Sequence, residues 1–461
     1  MFFRFITAGA HRGRSLTATL TRNFAKKQKN AISSSKPVRS EAATENFHLN
    51  AKHHASHTPV PDADLLPVSF EDIIRAHYRI ASGIRRTHCD MSAFLSELCG
   101  CNIILKKDFT QFTGSFKERG GRNSLMLLSD AEKAKGVITA SAGNHALALA
   151  WHGKDLGIPV TCVMPSVAPM TKVEKCRKFG ANIILHGAHI GEARQYALSE
   201  HKELKYINGY NDPEIIAGAG SMGIEILEQV PNCDVIVVPV GGAGLIAGVS
   251  LAVKTLKPSV KIIGVEPENC ASYAAALAAG HPVDGFKGAT LADGLAVPVV
   301  GDISFEVARR CVDATCNVSE INIAIAVLRL IEMEKLVVEG GGATGLAALL
   351  PGGPLYGKFK GQTVVVPLCG GNIDTTVLGR VIDRGLAAGK NTINIPSIYY
   401  MLSPLSNDFF LNRPLTASVR RCCPPPTHKT HKTNASSALA PRLVTAQAAL
   451  PDWPRTWPRW A

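Results

Sequence analysis

The chain has 461 residues, 46% of them hydrophobic and 19% charged, enough to bury one large core or two smaller ones. Its net charge of +13 sits at the two ends: residues 1–40 carry nine Lys/Arg and no acid, residues 393–461 carry eight against Asp408 and Asp452, and the middle is close to neutral. That distribution sets nucleic-acid binding aside, and no apolar run is long enough to span a bilayer.

In chain order, residues 1–40 are rich in Arg and Ser, with spaced Phe2, Phe5, Leu16, Leu20 and Phe24. This is the composition of a mitochondrial transit peptide; a basic tail on a cytoplasmic protein is the alternative. Residues 41–66 read as a linker, whose His53, His54 and His57 lack the Cys or carboxylate partners of a metal site. An apolar run at 102–105 then leads into TGSFKERGG, residues 113–121, ahead of a helix-like segment ending at 125–128. A glycine-flanked loop between strand and helix is a place for groups that meet a ligand, and Lys117 lies at its centre.

From there short β-branched runs alternate with helix-length amphipathic stretches. Runs at 137–139, 160–164 and 183–185 are followed by predicted helices near 144–156, 169–179 and 190–202. Further runs at 235–238, 261–265 and 363–366 each precede a helix candidate. Buried parallel strands joined by crossover helices produce this pattern, so the fold class is α/β. Ligands of such sheets bind at the carboxyl ends of the strands, where Ser141-Ala142-Gly143-Asn144-His145, Gly241-Gly242-Ala243-Gly244-Leu245 and Cys369-Gly370-Gly371-Asn372 all fall. From residue 393 the periodicity ends in proline-rich and His-Lys-Thr segments, predicting a disordered tail. The twelve cysteines show no Cys-x-x-Cys spacing and read as reduced, intracellular thiols.

Gly241 to Gly244 close a strand and open a helix, a setting in which backbone N–H groups hold an anion. Their Gly-x-x-Gly spacing differs from the dinucleotide fingerprint and suits a single phosphate monoester. With a loop lysine to bond an aldehyde and an asparagine to meet a phenolic oxygen, the set points to pyridoxal phosphate. The alternative is glycine used for tight strand–helix packing.

TGSFKERGG, SAGNHALALA, PVGGAGLIAG, GVEPEN, ADGLAV and LCGGNID, in order between about residues 67 and 386, resemble pyridoxal-phosphate enzymes of fold type II, similar to tryptophan synthase β. Within them the threonine/serine dehydratase branch, of the catabolic threonine ammonia-lyase type, is the most similar. The resemblance implies two α/β domains of mainly parallel sheet with the cofactor between them: a large domain at 67–135 and 212–392, and a small one at 136–211. It implies that Lys117 is the Schiff-base lysine and Phe116 packs on the cofactor ring. Asn144 would bond the 3′-oxygen, Gly241, Gly242, Ala243, Gly244 and Leu245 would hold the phosphate, and Cys369 would face the pyridine nitrogen. Ser141, Ala142, Gly143, Asn144 and His145, with Gly294 of ADGLAV, would grip the substrate. The implied activity is β-elimination of L-threonine and L-serine by a homo-oligomer, dimer or tetramer.

Serine racemases resemble the same family but carry a second serine where this chain has Ala142, which disfavours an isomerase reading. Glu266 resembles a metal carboxylate of that branch, but its acidic partner position is Ser272, so no metal is assigned. An ACT-type regulatory domain, carried by many relatives, is not recognisable after residue 392. A non-catalytic cofactor-binding homologue is the third reading.

Overall fold

The computed structural model describes residues 47–49 and 66–392. The expected transit peptide, the three linker histidines and the tail lie outside the described residues. In chain order the strands are β1 (Phe47–Leu49), β2 (Cys89–Met91), β3 (Asn102–Lys106), β4 (Val137–Ala140), β5 (Val160–Met164), β6 (Asn182–Leu185), β7 (Lys205–Tyr206), β8 (Val235–Pro239), β9 (Lys261–Pro267), β10 (Ala314–Val318) and β11 (Thr363–Pro367).

Seven of them form one sheet, ordered β1-β10-β9-β8-β11-β3-β2, and four form a second, ordered β6-β5-β4-β7. The second sheet is parallel throughout. In the first, the five inner strands are parallel and the two edges antiparallel. β1 falls in the stretch expected to be linker: Phe47 to Leu49 pair with Cys316 to Ala314, and three residues between polar neighbours carry too little periodicity to announce a strand.

The inner strands read as continuous apolar runs because both faces are covered. In β8 alternate side chains point oppositely: Ile236 and Val238 join one core with Ile216 and Ile246, while Val235 and Val237 join another with Ile323 and Leu346. β4 and β5 divide likewise, with Val137, Val160 and Cys162 on one side and Ile138 and Val163 on the other.

The predicted helices appear at Asn144–Leu156, Met170–Lys178, Ile190–Glu200 and Gly244–Leu256. Every cysteine among the described residues is free. No described helix is long and apolar enough to cross a membrane.

Behind the Lys117 loop lies a buried charge cluster that anchors it. Arg119, fully buried, spends every N–H: Nε and Nη2 on Asp108 at 2.7 and 2.8 Å, Nη1 and Nη2 on Glu225 at 2.7 and 2.9 Å, and Nη1 on Ser221 at 3.1 Å. Lys106 Nζ, on β3, donates to Glu225 (2.6 Å), Gln229 (2.8 Å) and the Thr87 carbonyl (2.9 Å). Two cations against two carboxylates leave the group neutral, and complete pairing is what makes such burial tolerable. It joins β3, the helix Lys117–Met126 and the helix Pro213–Gln229 into one frame.

Candidate active site

Lys117 opens the helix Lys117–Met126, so its side chain projects from the first turn at the end of the loop after β3. Its Nζ donates to the Gly209 carbonyl at 2.5 Å and lies 5.1 Å from the Phe116 ring centroid. Removal of water from the ammonium lowers its pKa from the usual lysine range to about 8. The loop is laced to the end of β11: Phe116 N–H donates to the Cys369 carbonyl at 2.9 Å, and Ser115 bridges to Gly370. Cys369 is buried with its Sγ 3.8 Å from the Gly341 carbonyl, and burial pushes its thiol far up, so the side chain is neutral.

Glu118, the next residue, turns away from the site. It accepts from Thr113 N–H and, through Oε2, from His152 Nε2 at 3.1 Å, with both side chains fully buried. Arg122 meets His152 Nδ1 at 3.1 Å and Asp155 at 2.6 Å. The charged pair that follows the lysine is therefore scaffold: Glu118 closes the loop and Arg119 bolts the helix down.

Asn144 begins the helix Asn144–Leu156, whose N-cap, Gly143, contributes no side-chain cap and leaves first-turn N–H groups to meet an anion. Gly143 N–H donates to Ser141 Oγ at 3.3 Å, and Ala142 packs on the small-sheet core. The Asn144 amide is held at both ends, Nδ2 donating to Glu339 at 2.7 Å and Oδ1 accepting from Asn372 Nδ2 at 2.8 Å. One Nδ2 hydrogen remains for a ligand among the bonds of the described residues. His145 is buried; its Nε2 lies 3.2 Å from the Ile207 carbonyl, which places the ring N–H there and makes Nδ1 an acceptor. Its pKa is lowered to about 3 by burial, then by Lys117, so the ring is neutral. Of the donors expected from His145 for a carboxylate, only the backbone N–H remains.

Glu339 is the residue sequence reasoning missed. It is buried, takes Asn144 Nδ2 on Oε1 and Asn372 N–H on Oε2 (3.1 Å), and its pKa is raised to about 7 by desolvation and then by Asp293. The available signal was a single acid in VVEGGGATG, between an apolar run and a glycine run, where a solvated acid has no reason to be. A Cβ on Gly370 would stand 2.0 Å from Glu339 Oε1, and one on Gly294 would stand 3.5 Å from it. A Cβ on Gly241 would touch Leu295 Cα at 3.0 Å. The residues expected around Lys117, the three glycine turns and Gly294 are thus connected through Glu339, Asn144 and Leu295.

The glycines of the 241–245 turn have a second reason to be glycine. A Cβ on Gly242 would strike the Tyr210 ring at 2.3 Å, and one on Gly244 the Tyr210 carbonyl at 2.4 Å. Tyr210 follows Gly209, whose carbonyl holds Lys117, so one segment covers the turn and fixes the lysine. Glu266, whose carboxylate resembles a metal ligand of the racemase branch, accepts from Tyr273 N–H (2.7 Å) and Ala274 N–H (2.9 Å) at the start of the helix Ser272–Ala279.

The donor set fits a phosphorylated aromatic aldehyde. It offers a desolvated amine, a glycine turn at the head of a thirteen-residue helix, and buried hydroxyls without a protein partner at Ser115 Oγ and Thr113 Oγ1.

The family model described as pyridoxal-phosphate dependent enzyme matches residues 80–370. An L-threonine ammonia-lyase of Thermotoga maritima is 44% identical over 330 residues, covering 71% of this chain and 81% of the relative. The processed form of threonine deaminase isoform 2 from Solanum lycopersicum superposes with a TM-score of 0.64 at 34% identity, covering 69% of this chain and 89% of that one. Serine racemase from Dictyostelium discoideum gives 0.63 at 33% identity, covering 67% and 99%. With the parallel sheets and the lysine turn in place, the chain belongs to the pyridoxal-phosphate-dependent enzyme family of fold type II.

Proposed function

We propose that this protein eliminates the β-hydroxyl of L-threonine, and of L-serine, to give 2-oxobutanoate or pyruvate and ammonia, with pyridoxal phosphate carried on Lys117. The observation that carries the reading is the Lys117 amine: desolvated, with its pKa lowered to about 8, and held by the Gly209 carbonyl. When bound, the cofactor supplies an electron sink for the bond broken at Cα.

The protein's own groups supply the rest. Released when the substrate's amino group replaces it, the Lys117 amine, uncharged in part at physiological pH, would take the proton from substrate Cα. Backbone N–H groups of Gly241 to Leu245 hold the phosphate, assisted by the dipole of the helix Gly244–Leu256. Asn144 Nδ2 directs a hydrogen at the ring oxygen, with its orientation set by Glu339 and Asn372. Phe116, whose ring centroid lies 5.1 Å from Lys117 Nζ, would pack on the cofactor ring. Cys369, neutral, would stand at the ring nitrogen without placing a negative charge there, which would favour elimination. Ser141 to His145 and Gly294 receive the substrate carboxylate at the head of the helix Asn144–Leu156.

Racemisation needs a second proton donor on the opposite face, and the methyl of Ala142 cannot act as one. Incubation with L-threonine and L-serine, assayed for 2-oxo acid and for D-serine, tests the reading: 2-oxo acid without D-serine is expected, and D-serine as main product would overturn it. The acid-free residues 1–40 support a mitochondrial address, checked by import into isolated mitochondria. A homo-oligomer is proposed, with light scattering as its check.

A further inference from the structure

The turn read as the phosphate loop contains a conformation its own sequence does not favour. Ala243 has φ 70° and ψ −3°, the left-handed region in which an L side chain crowds the neighbouring carbonyl and glycine is the usual occupant. An external group must hold the Gly242–Ala243 peptide there. The Gly242 carbonyl accepts from Ser304 Oγ at 2.8 Å and from Gly301 N–H at 3.3 Å. Ser304 is fully buried in the first turn of the helix Asp302–Cys311. In a planar trans peptide the C=O and N–H point in opposite directions. Drawing the Gly242 oxygen towards Ser304 therefore aims the Ala243 N–H away from it, to the side where an anion would be received.

Ser304 is held in turn. Asn211 Oδ1 accepts from Ile303 N–H at 3.0 Å and Ser304 N–H at 3.3 Å, while its Nδ2 donates to Asp302 at 2.6 Å. Asn211 thus caps a helix to which it does not belong, satisfying donors that would otherwise be orphaned. The crossing is tight: a Cβ on Gly301 would lie 2.0 Å from Asn211 Oδ1. Asn211 shares its segment with Gly209, which holds Lys117, and with Tyr210, which covers Gly242. The segment is itself locked by Asn208 Oδ1, which accepts from Tyr210 and Asn211 N–H at 3.0 and 3.1 Å.

We propose that Ser304 is a positioning residue for the cofactor's phosphate: its hydroxyl holds the Gly242–Ala243 peptide so that the Ala243 N–H faces the anion, and Asn211 fixes Ser304. This rests on the reading of Gly241 to Leu245 as the phosphate loop. Neither side chain is assigned a contact with the ligand, so the effect belongs to phosphate recognition and not to the aldehyde.

The test titrates the cofactor-free full-length protein with pyridoxal phosphate and, separately, with pyridoxal, which has the same ring and aldehyde but no phosphate, following absorbance. Ser304→Ala is expected to weaken pyridoxal phosphate binding about tenfold, the worth of one buried hydrogen bond, and to change pyridoxal binding by less than about twofold. Adding Ala243→Gly should restore part of the loss, since glycine enters the left-handed region freely. An unchanged affinity for pyridoxal phosphate, or equal weakening for both ligands, overturns the proposal. If Ser304→Ala does not fold, Ser304→Cys, which keeps the volume but donates only weakly, carries the same comparison with the same two outcomes. A wild-type protein that binds both ligands equally well removes the phosphate-loop reading itself, a result distinct from a selective wild type with a silent Ser304.

Discussion

Two titrating side chains govern the site at the scale of the residue, a base whose pKa is lowered and an acid whose pKa is raised. The amine of Lys117 is a base whose pKa is lowered to about 8, so its reactive neutral form appears at lower pH than for a surface lysine. The rate at which the cofactor-free protein captures pyridoxal phosphate should rise with pH through about 8; a midpoint near the ordinary lysine range would show that the amine is solvated. Glu339 is an acid whose pKa is raised to about 7. Above that pH it accepts from Asn144 and Asn372; below it, the added proton takes up one carboxyl oxygen and weakens the support that Glu339 gives these two residues. Activity should therefore fall as pH drops through about 7, and Glu339→Gln, which does not titrate, should remove the Glu339 share of that fall, leaving the Lys117 share, while lowering kcat/KM. A pH–rate profile of kcat/KM for both proteins checks it.

Between elements, two kinds of polar contact contribute very differently. The cluster of Arg119, Asp108, Glu225 and Lys106 is almost wholly shielded from water and joins β3 to the helices Lys117–Met126 and Pro213–Gln229. Arg119→Met would leave two buried carboxylates against one lysine, and should cost about 3–5 kcal/mol in urea unfolding, with little dependence on salt. The helix Met170–Lys178 reaches from the four-stranded sheet to loops of the larger one: Lys172 Nζ lies 3.3 Å from Asp293 and 3.9 Å from Asp374, and Lys175 donates to Asn372 at 2.9 Å. The carboxylate of Asp293 is 66% exposed, so the pair is worth less than about 1 kcal/mol to stability. Lys172→Ala should leave the unfolding midpoint nearly unchanged. Because Asp293 adjoins Gly294, it should instead raise KM, an effect that added salt reproduces in the wild type. Steady-state kinetics at low and high ionic strength decide the matter.

At the scale of the whole molecule, the site is assembled from both sheets, with Asn144 following β4, Gly209 following β7, the 241–245 turn following β8 and Cys369 following β11. A ligand that joins these pieces should stabilise the fold by mass action, about 2.7 kcal/mol at a hundredfold excess over Kd, seen as a higher thermal midpoint. Much of this was legible in the chain: alternating apolar runs and amphipathic stretches located the central strands, because burial on both faces and burial on one leave different periodicities. The glycine turns were legible as well, since they stand at strand ends. The rest depended on contacts between distant residues. Tyr210 over Gly242, Ser304 beneath the 242 carbonyl and Glu339 behind Asn144 each join segments separated by dozens of positions, and no local pattern marks them. The Glu118–Arg119 pair reads as a solvated helix start until Asp108 and Glu225 are seen around it.

The most direct measurement of the central claim is borohydride reduction of the purified holoenzyme followed by peptide mass mapping. The account predicts a single pyridoxyl adduct, on Lys117, and a Lys117→Ala protein in which turnover of L-threonine falls roughly 10²–10⁴-fold or more. An adduct on another lysine, or a Lys117→Ala protein that keeps both the cofactor's absorbance and its turnover, would contradict it.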